Sequence, residues 1–370
     1  MTPTHTTTGP KGTAPAAPRT GRTGPPRRLL LAATVAACLP YLGIKTAWLS
    51  GVHIGIPEGS ELLAPENTAS LTLANSLTLV MDAAVVVLAL ALALPWGRRL
   101  PAWLTALPLW TATGLLAPIA VAVPVLSLLG AATGDGTVTQ ETRASLDGWV
   151  FTVVYTGFGI QALTLGALAA LYVRDRWGHL LRGRLAALDA AAPTAPARRA
   201  IAVTAAAAAL LPLVTQLLWS AGARTGLPAH QAERTDNAFR LIAGLDALAA
   251  AAAAAGILLL AFPAGRAGAI RLRTAVALAW TGSGVLTARG GWSLLTGLFD
   301  DGMVDPSRQA TALMTLTYSV EVLAGMLVLA TGAHLFAERA AERAAEPATG
   351  RAPDTAHAAH TGHTGYTPAK

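Results

Sequence analysis

Five ionisable side chains lie inside stretches of sequence that are otherwise almost entirely apolar: Lys45, Asp82, Asp246, Arg289 and Glu321. A charge in such a stretch is costly when it lies in a bilayer, so each is a candidate functional group that needs a partner. Asp82 and Glu321 have no Lys or Arg at a similar depth in any stretch. Because an isolated carboxyl in apolar surroundings favours its protonated form, these two residues are candidates for carrying a proton.

Polar residues recur at helical spacing around both carboxyls. The two stripes are Thr68, Thr72, Asn75, Thr78 and Asp82, and Thr311, Thr315, Tyr318, Glu321 and Gly325. A polar stripe on a membrane helix should face the bundle interior or a wet cavity, which makes Asn75 a further candidate polar residue. The alternative is that the carboxyls are protonated and serve only as hydrogen-bonded packing contacts between helices. The two interpretations carry equal weight at this stage.

The other three charges form a possible ion-pair set. Lys45 and Arg289 lie near the outer ends of their stretches, where long side chains can extend towards the surface. Asp246 lies at a similar depth, and opposite charges at similar depth offset each other's desolvation. We therefore predict that Asp246 pairs with Lys45 or with Arg289.

Apolar runs long enough to cross a bilayer contain all of these residues. A membrane helix needs about 20 mostly apolar residues, and eight such runs occur, at 28–49, 70–94, 103–130, 148–173, 200–220, 239–263, 273–298 and 310–335. They predict an all-α, polytopic transmembrane helix bundle. The sixth run should be the weakest, because seven consecutive alanines fill its middle. The chain is 53% hydrophobic and 13% charged, with mean hydropathy +0.49, whereas soluble domains carry about 25% charged residues.

The basic residues indicate an orientation in the membrane. Most Lys and Arg fall in the two tails and in the loops that follow the second, fourth and sixth runs. The other loops are acidic. The positive-inside rule then places both termini in the cytoplasm, with the protein in the cell membrane. The predicted parts are a disordered basic cytoplasmic tail (1–27), a first four-helix repeat (28–173), an Arg-rich cytoplasmic linker (174–199), a second four-helix repeat (200–336), and a cytoplasmic helix extension with a disordered tail (337–370).

The two repeats are predicted from an internal similarity. Trp48–Pro57 and Trp219–Pro228 share the pattern W-x-x-G-x-x-x-G-[IL]-P at an offset of 171 residues. Three further matches follow in the same order: Asn75 with Asp246, Pro95–Arg98 with Pro263–Arg266, and Trp110–Gly114 with Trp280–Gly284. Because each copy has an even number of spans, the copies should run parallel, related by an axis along the membrane normal. The duplication is equally consistent with a transporter and with a large bundle that is merely stable.

No motif for enzymatic chemistry is present. The chain lacks a nucleotide-binding P-loop, a zinc-protease H-E-x-x-H pattern and a G-x-S-x-G nucleophile. The net charge is +7, but the chain has too few Lys and Arg residues to form a face that binds nucleic-acid phosphates. With one Cys, and three tail histidines that no rigid element positions, we predict no metal, no cofactor and no nucleic-acid partner, and we do not favour an enzyme.

One alternative concerns the first run. The segment Val35–Cys38 fits a lipoprotein cleavage site, which would make Cys38 a lipidated residue. The apolar run continues to Trp48 and a copy of it lies deep in the chain, so a buried helix cysteine is favoured.

The Ala, Arg, Gly and Pro bias, together with this architecture, resembles the uncharacterised multi-pass integral membrane proteins of high-GC actinobacteria. The resemblance covers the whole chain and implies a membrane location. The leading functional prediction is a carrier or permease subunit, with Asp82 and Glu321 lining a polar cavity between the repeats. The alternatives are a non-transporting scaffold or regulatory subunit and, third, an intramembrane enzyme. The expected partners are the lipid bilayer and a cytoplasmic or membrane subunit; a wet cavity at the carboxyls would favour the carrier, and a dry packed seam the scaffold.

Overall fold

The protein folds as a bundle of long helices. A computed structural model describes residues 24–64, 68–133, 146–188, 194–233, 235–297 and 309–345, and within these ranges the fold is all-α without a strand, as predicted. The eight long helices are α1 (Pro25–Leu49), α2 (Thr68–Ala93), α3 (Ala102–Thr133), α4 (Gly148–Arg176), α5 (Ala195–Ser220), α6 (Asn237–Ala261), α7 (Leu272–Gly297) and α8 (Ala312–Ala345). Of the predicted N-terminal tail at 1–27, residues 1–23 lie outside the described residues, and α1 begins within it at Pro25. Of the predicted C-terminal part at 337–370, residues 346–370 lie outside the described residues.

Short elements connect the long helices. They are the 3₁₀ helices Glu61–Leu63, Pro95–Arg99, Leu185–Ala187 and Gly265–Ala269 and the short α-helix Ala229–Glu233. The extension predicted after the eighth run is present, since α8 continues to Ala345.

Seven of the eight long helices are long and apolar enough to cross a membrane, which indicates a multi-pass membrane protein. The exception within the described chain is α7, which contains Arg289 and many Gly, Ser and Thr residues. The prediction that the sixth run is the weakest is wrong, because α6 meets the requirement. Alanine is itself mildly apolar, and Ile257–Leu260 adds strong hydrophobicity at the end of α6.

The long helices form two groups. In the first group α1 packs against α2 and α4, and α4 packs against α3; in the second, α5 packs against α6 and α8, while α7 lies against both α6 and α8. The groups meet mainly where α3 contacts α7, with a smaller contact between α3 and α6. We call the contact between α3 and α7 the seam.

Small residues allow close packing in the second group. Its core is rich in fully buried alanines, including Ala202, Ala250 and Ala253. A Cβ on Gly256 would lie 2.4 Å from the backbone nitrogen of Ala279, so α6 and α7 touch backbone to backbone. Such contacts are typical of membrane helices and explain the alanine-rich sequence of α6.

The W-x-x-G-x-x-x-G-[IL]-P segments form the same turn twice. The indole Nε1 of Trp48 donates to a carbonyl six residues later at 2.8 Å, and Trp219 does the same at 3.0 Å. Both glycines of each copy have positive φ, from +76° to +93°, a region that favours glycine. These residues therefore build a rigid turn after α1 and after α5.

A second pair of turns corrects one predicted match. The 3₁₀ helices Pro95–Arg99 and Gly265–Ala269 lie 170 residues apart, and each precedes the next long helix by the same distance. Pro95 therefore corresponds in position to Gly265, and its predicted match to Pro263 is displaced by two residues. The two Pro-x-Gly-Arg strings occur in different parts of the two turns.

Candidate functional site

Asp82 is enclosed between helices of the first group. It is 4% exposed, and its Oδ1 accepts a hydrogen bond of 3.1 Å from Nε2 of Gln161 on α4. In the described part of the chain, Asp82 Oδ2 and Gln161 Oε1 are both buried without an N–H or O–H donor. The thiol of Cys38, a weak donor, lies beside the carboxyl. A proton on Asp82 would turn its carboxyl from a group that only accepts into one that also donates.

Glu321 occupies a comparable place in the second group. It is 1% exposed, and its Oε1 accepts a hydrogen bond of 2.9 Å from Nε2 of Gln216 on α5. A Cβ on Gly290 of α7 would lie 3.0 Å from Glu321 Oε2, so a glycine makes room for this carboxyl. The sequence predicted no cation at the depth of Glu321, but the fold brings both Asp246 and Arg289 close enough to act on it electrostatically.

The three remaining charges are paired as follows. Arg289 Nη2 lies 3.2 Å from Oδ2 of Asp246, which is 3% exposed, so Arg289 is the partner of Asp246. Lys45 instead donates to Oδ1 of Asn75 at 2.7 Å, and its ammonium lies 4.5 Å from the ring centroid of Trp48. Asn75 and Asp246 are the matched positions of the two copies, and each receives a basic side chain from a different helix.

The polar stripes are partly as expected. On α2, Asn75 and Asp82 are buried and Thr72 is exposed. On α8, Thr315 is exposed, and the buried threonine is Thr317, which donates to the hydroxyl of Thr215 on α5 at 3.4 Å. Helical spacing alone did not show that Thr317, rather than Thr315, is the buried threonine.

The fold does not bring Asp82 and Glu321 to one place. Each carboxyl is bonded to a glutamine of its own helix group, whereas the groups meet mainly through α3 and α7. Sequence reasoning missed Gln161 and Gln216, because each lies outside the two polar stripes, on a helix that contributes none of the five intramembrane charges. An uncharged amide within a long apolar run was the signal that could have found them.

Reciprocal hydrogen bonds cross the seam. Nε1 of Trp110 donates to the hydroxyl of Ser283 at 3.0 Å, and Nε1 of Trp280 donates to the hydroxyl of Thr113 at 3.4 Å. Donor and acceptor on one helix each have a counterpart 170 residues along the chain on the other helix. Such reciprocity is what a two-fold relation between α3 and α7 produces.

Glycines let the two seam helices touch. A Cβ on Gly114 would lie 2.0 Å from the carbonyl oxygen of Gly284, and a Cβ on Gly284 would lie 3.0 Å from the carbonyl oxygen of Trp110. No side chain fits between the backbones at this crossing. The seam is therefore dry and closely packed where these residues meet.

Neither a metal centre nor a known relative identifies a reaction. Among the described residues, no group of three or more His, Cys, Asp or Glu could hold a metal ion. The histidines near the C-terminus lie outside the described part. Comparison with protein-family models, curated proteins and solved structures found no match to this chain.

Proposed function

We propose that the chain is an integral protein of the cell membrane, with eight spans in two tandem parallel repeats, that acts as a non-transporting scaffold or regulatory subunit for a membrane or cytoplasmic partner. The observation that carries this proposal is the closed seam, where Gly114 and Gly284 bring two backbones into contact. The proposal includes both termini in the cytoplasm.

Two features support the repeats and the eighth span. The turns after α1 and α5 share their indole hydrogen bonds and glycine conformations, and the seam contacts are reciprocal. α7 packs between two apolar helices, α6 and α8. Its intramembrane charge, Arg289, is balanced by Asp246, which lowers the cost of placing that helix in a bilayer.

A fixed seam favours a scaffold over a carrier. Rocking the two groups against each other would break two indole hydrogen bonds and separate a backbone contact made without any intervening side chain. The buried carboxyls would not change partners in that motion, because each is bonded within its own group. Their hydrogen bonds to Gln161 and Gln216 act as packing contacts between neighbouring helices.

One observation favours a second candidate, the proton-coupled carrier. Asp82 Oδ2 and Gln161 Oε1 are acceptors without an ordinary donor in the described chain, so Asp82 has a place for a proton. A carrier would need Asp82 to reach water in at least one conformation, whereas it is 4% exposed here.

Distance measurements between spin labels separate the two functions. Val52→Cys and Arg224→Cys place exposed labels on the matched turns of the two groups. The native Cys38 is fully buried, so the protein without added cysteines serves as the labelling control. In proteoliposomes, the scaffold predicts one narrow distance distribution that an imposed proton gradient leaves unchanged. Two populations whose ratio follows the gradient would contradict it and favour the carrier.

A thermal-stability screen with candidate small molecules provides a second test. A ligand at 100 times its Kd stabilises a protein by about 2.7 kcal/mol. The scaffold predicts no stabilisation that depends on Asp82. A molecule that stabilises the wild type but not the Asp82→Asn variant would instead support transport through the first group.

A further inference from the structure

Two arginines face each other where the linker between the helix groups meets the turn between α6 and α7. Arg184 and Arg271 form an isolated antiparallel bridge. The residues on either side of them exchange backbone hydrogen bonds of 2.9 and 3.1 Å, which makes this the non-hydrogen-bonded type of pair. In that type the Cα atoms approach most closely, and both side chains leave on the same face.

Like charges directly opposite each other in such a pair destabilise it. Both arginines are exposed, and neither makes an ion pair or hydrogen bond through its side chain within the described chain. The backbone nevertheless holds the two Cα atoms close together, so that both arginine side chains start from one face. A bound anion between them would turn this repulsion into attraction.

A groove beside the pair adds an apolar wall. Its cavity volume is about 450 Å³, and Arg184 is its charged lining residue. The rest of the lining is small or apolar and includes Leu188, Pro263 and Gly268. A charged end next to an apolar wall fits a ligand that is itself anionic at one end and apolar beyond it.

In the corresponding turn of the first group, an arginine makes a structural contact. There Arg176 donates to the carbonyl oxygen of Leu100 at 2.6 Å. The counterpart carbonyl in the second group, that of Ile270, accepts instead from the backbone N–H of Leu185 at 2.9 Å. In the second group a backbone N–H therefore makes the hydrogen bond that an arginine makes in the first group. The arginines of the second turn are not needed for that bond and can bind a ligand.

We propose that Arg184 and Arg271 bind the phosphate of an anionic phospholipid headgroup, with the groove receiving the adjoining apolar part of the lipid. Guanidinium groups bind phosphate oxygens through paired hydrogen bonds, and basic sites at the cytoplasmic ends of membrane helices bind anionic lipids. The inference rests on the membrane placement in the proposed function, but not on the scaffold role.

Lipid retention by the purified protein tests the site. In detergent micelles containing equal phosphatidylglycerol and phosphatidylcholine, native mass spectrometry should find phosphatidylglycerol retained on the wild type. The double variant Arg184→Gln/Arg271→Gln should bind it about tenfold more weakly, from the loss of charge-assisted hydrogen bonds. Arg271→Lys keeps the charge but not the paired geometry, and should lose part of the affinity. Equal binding by all three proteins would overturn the proposal.

A matched control separates a site from general electrostatic attraction. Arg266→Gln/Arg273→Gln removes the same charge from exposed positions in the same turn and at the start of α7, and should leave binding within about twofold of the wild type. An equal loss in this control would show diffuse attraction only and contradict the proposal.

Thermal shifts distinguish the lipid from free phosphate. Phosphatidylglycerol should raise the Tm of the wild type and not that of Arg184→Gln/Arg271→Gln. In plain micelles that variant should be at least as stable as the wild type, because a repulsive pair is gone; lower stability there would contradict the reasoning. Sodium phosphate at millimolar concentration should give a smaller shift than the lipid, and an equal shift would assign the site to soluble phosphate instead. The outcome of these lipid assays does not depend on whether the two helix groups move at the seam. The assays therefore test the lipid site independently of the spin-label experiment.

Discussion

The Gly114→Ala variant tests the seam directly. The added Cβ would lie 2.0 Å from the carbonyl oxygen of Gly284, and this oxygen belongs to a backbone that no rotamer change can move. An ordinary contact needs about 3.4 Å or more, so α3 and α7 must separate by roughly 1.4 Å at this point. That shift also lengthens the indole bond from Trp110 to Ser283, now 3.0 Å.

The expected loss of stability follows from three contributions. Overpacking of this kind costs about 1–3 kcal/mol, and weakening one buried hydrogen bond costs up to about 1 kcal/mol. Alanine regains about 0.5–1 kcal/mol over glycine in a helix. Together these figures span about 0–3.5 kcal/mol, and Gly114→Ala should lower the free energy of unfolding by about 2 kcal/mol.

Gly159→Ala is the matched control. Gly159 also lies inside a long helix of the first group, and its added Cβ would meet nothing within 4 Å. This variant should be unchanged or more stable by up to about 1 kcal/mol. Both are measured by reversible unfolding in mixed micelles of mild detergent and SDS. The reasoning is refuted if the two variants have the same stability, or if Gly114→Ala is the more stable.

Four further variants test the buried polar pairs by the same unfolding assay. Arg289→Gln leaves Asp246 buried without its cation and should cost about 3–5 kcal/mol, and a loss below 1 kcal/mol would mean that the ion pair is not formed. Lys45→Gln removes a charge whose partner is neutral and should cost only about 1 kcal/mol; a loss as large as that of Arg289→Gln would contradict this. Asp82→Asn keeps an acceptor for Gln161 and should change stability by less than about 1 kcal/mol, whereas Asp82→Ala leaves the amide unsatisfied and should cost about 1–3 kcal/mol. Equal losses for the two Asp82 variants would argue against the hydrogen bond to Gln161.

The positions of the helices were predictable because crossing a bilayer imposes a length and an apolar composition. All eight apolar runs coincide with long helices, with ends that differ by a few residues, by five at the start of α5, and by ten at the end of α8. The hydropathy ranking was less predictable. The sequence of α7 was predicted as a span like the others, but α7 contains Arg289 and many small polar residues, which lower its hydropathy. Their role becomes clear only from the packing of α7 against α6 and α8.

The candidate site was predictable in its charges and not in its partners. Asp82, Asp246 and Glu321 are conspicuous in an apolar sequence, and all three are buried. Their glutamine or arginine partners lie on other helices, between 43 and 105 residues away in the chain. Helical periodicity describes one helix at a time and contains no information about which neighbour faces it.

The sequence by itself determined the all-α class, the places of the long helices, and the repeated turn built on Trp48 and Trp219, because bilayer thickness and positive-φ glycines act locally along the chain. Only the tertiary structure decided that Asp246 pairs with Arg289, that the two carboxyls lie in different helix groups, and that α3 and α7 meet backbone to backbone. These outcomes depend on which helix faces lie together. Helix packing selects those faces through the fit of small and large side chains from distant parts of the chain.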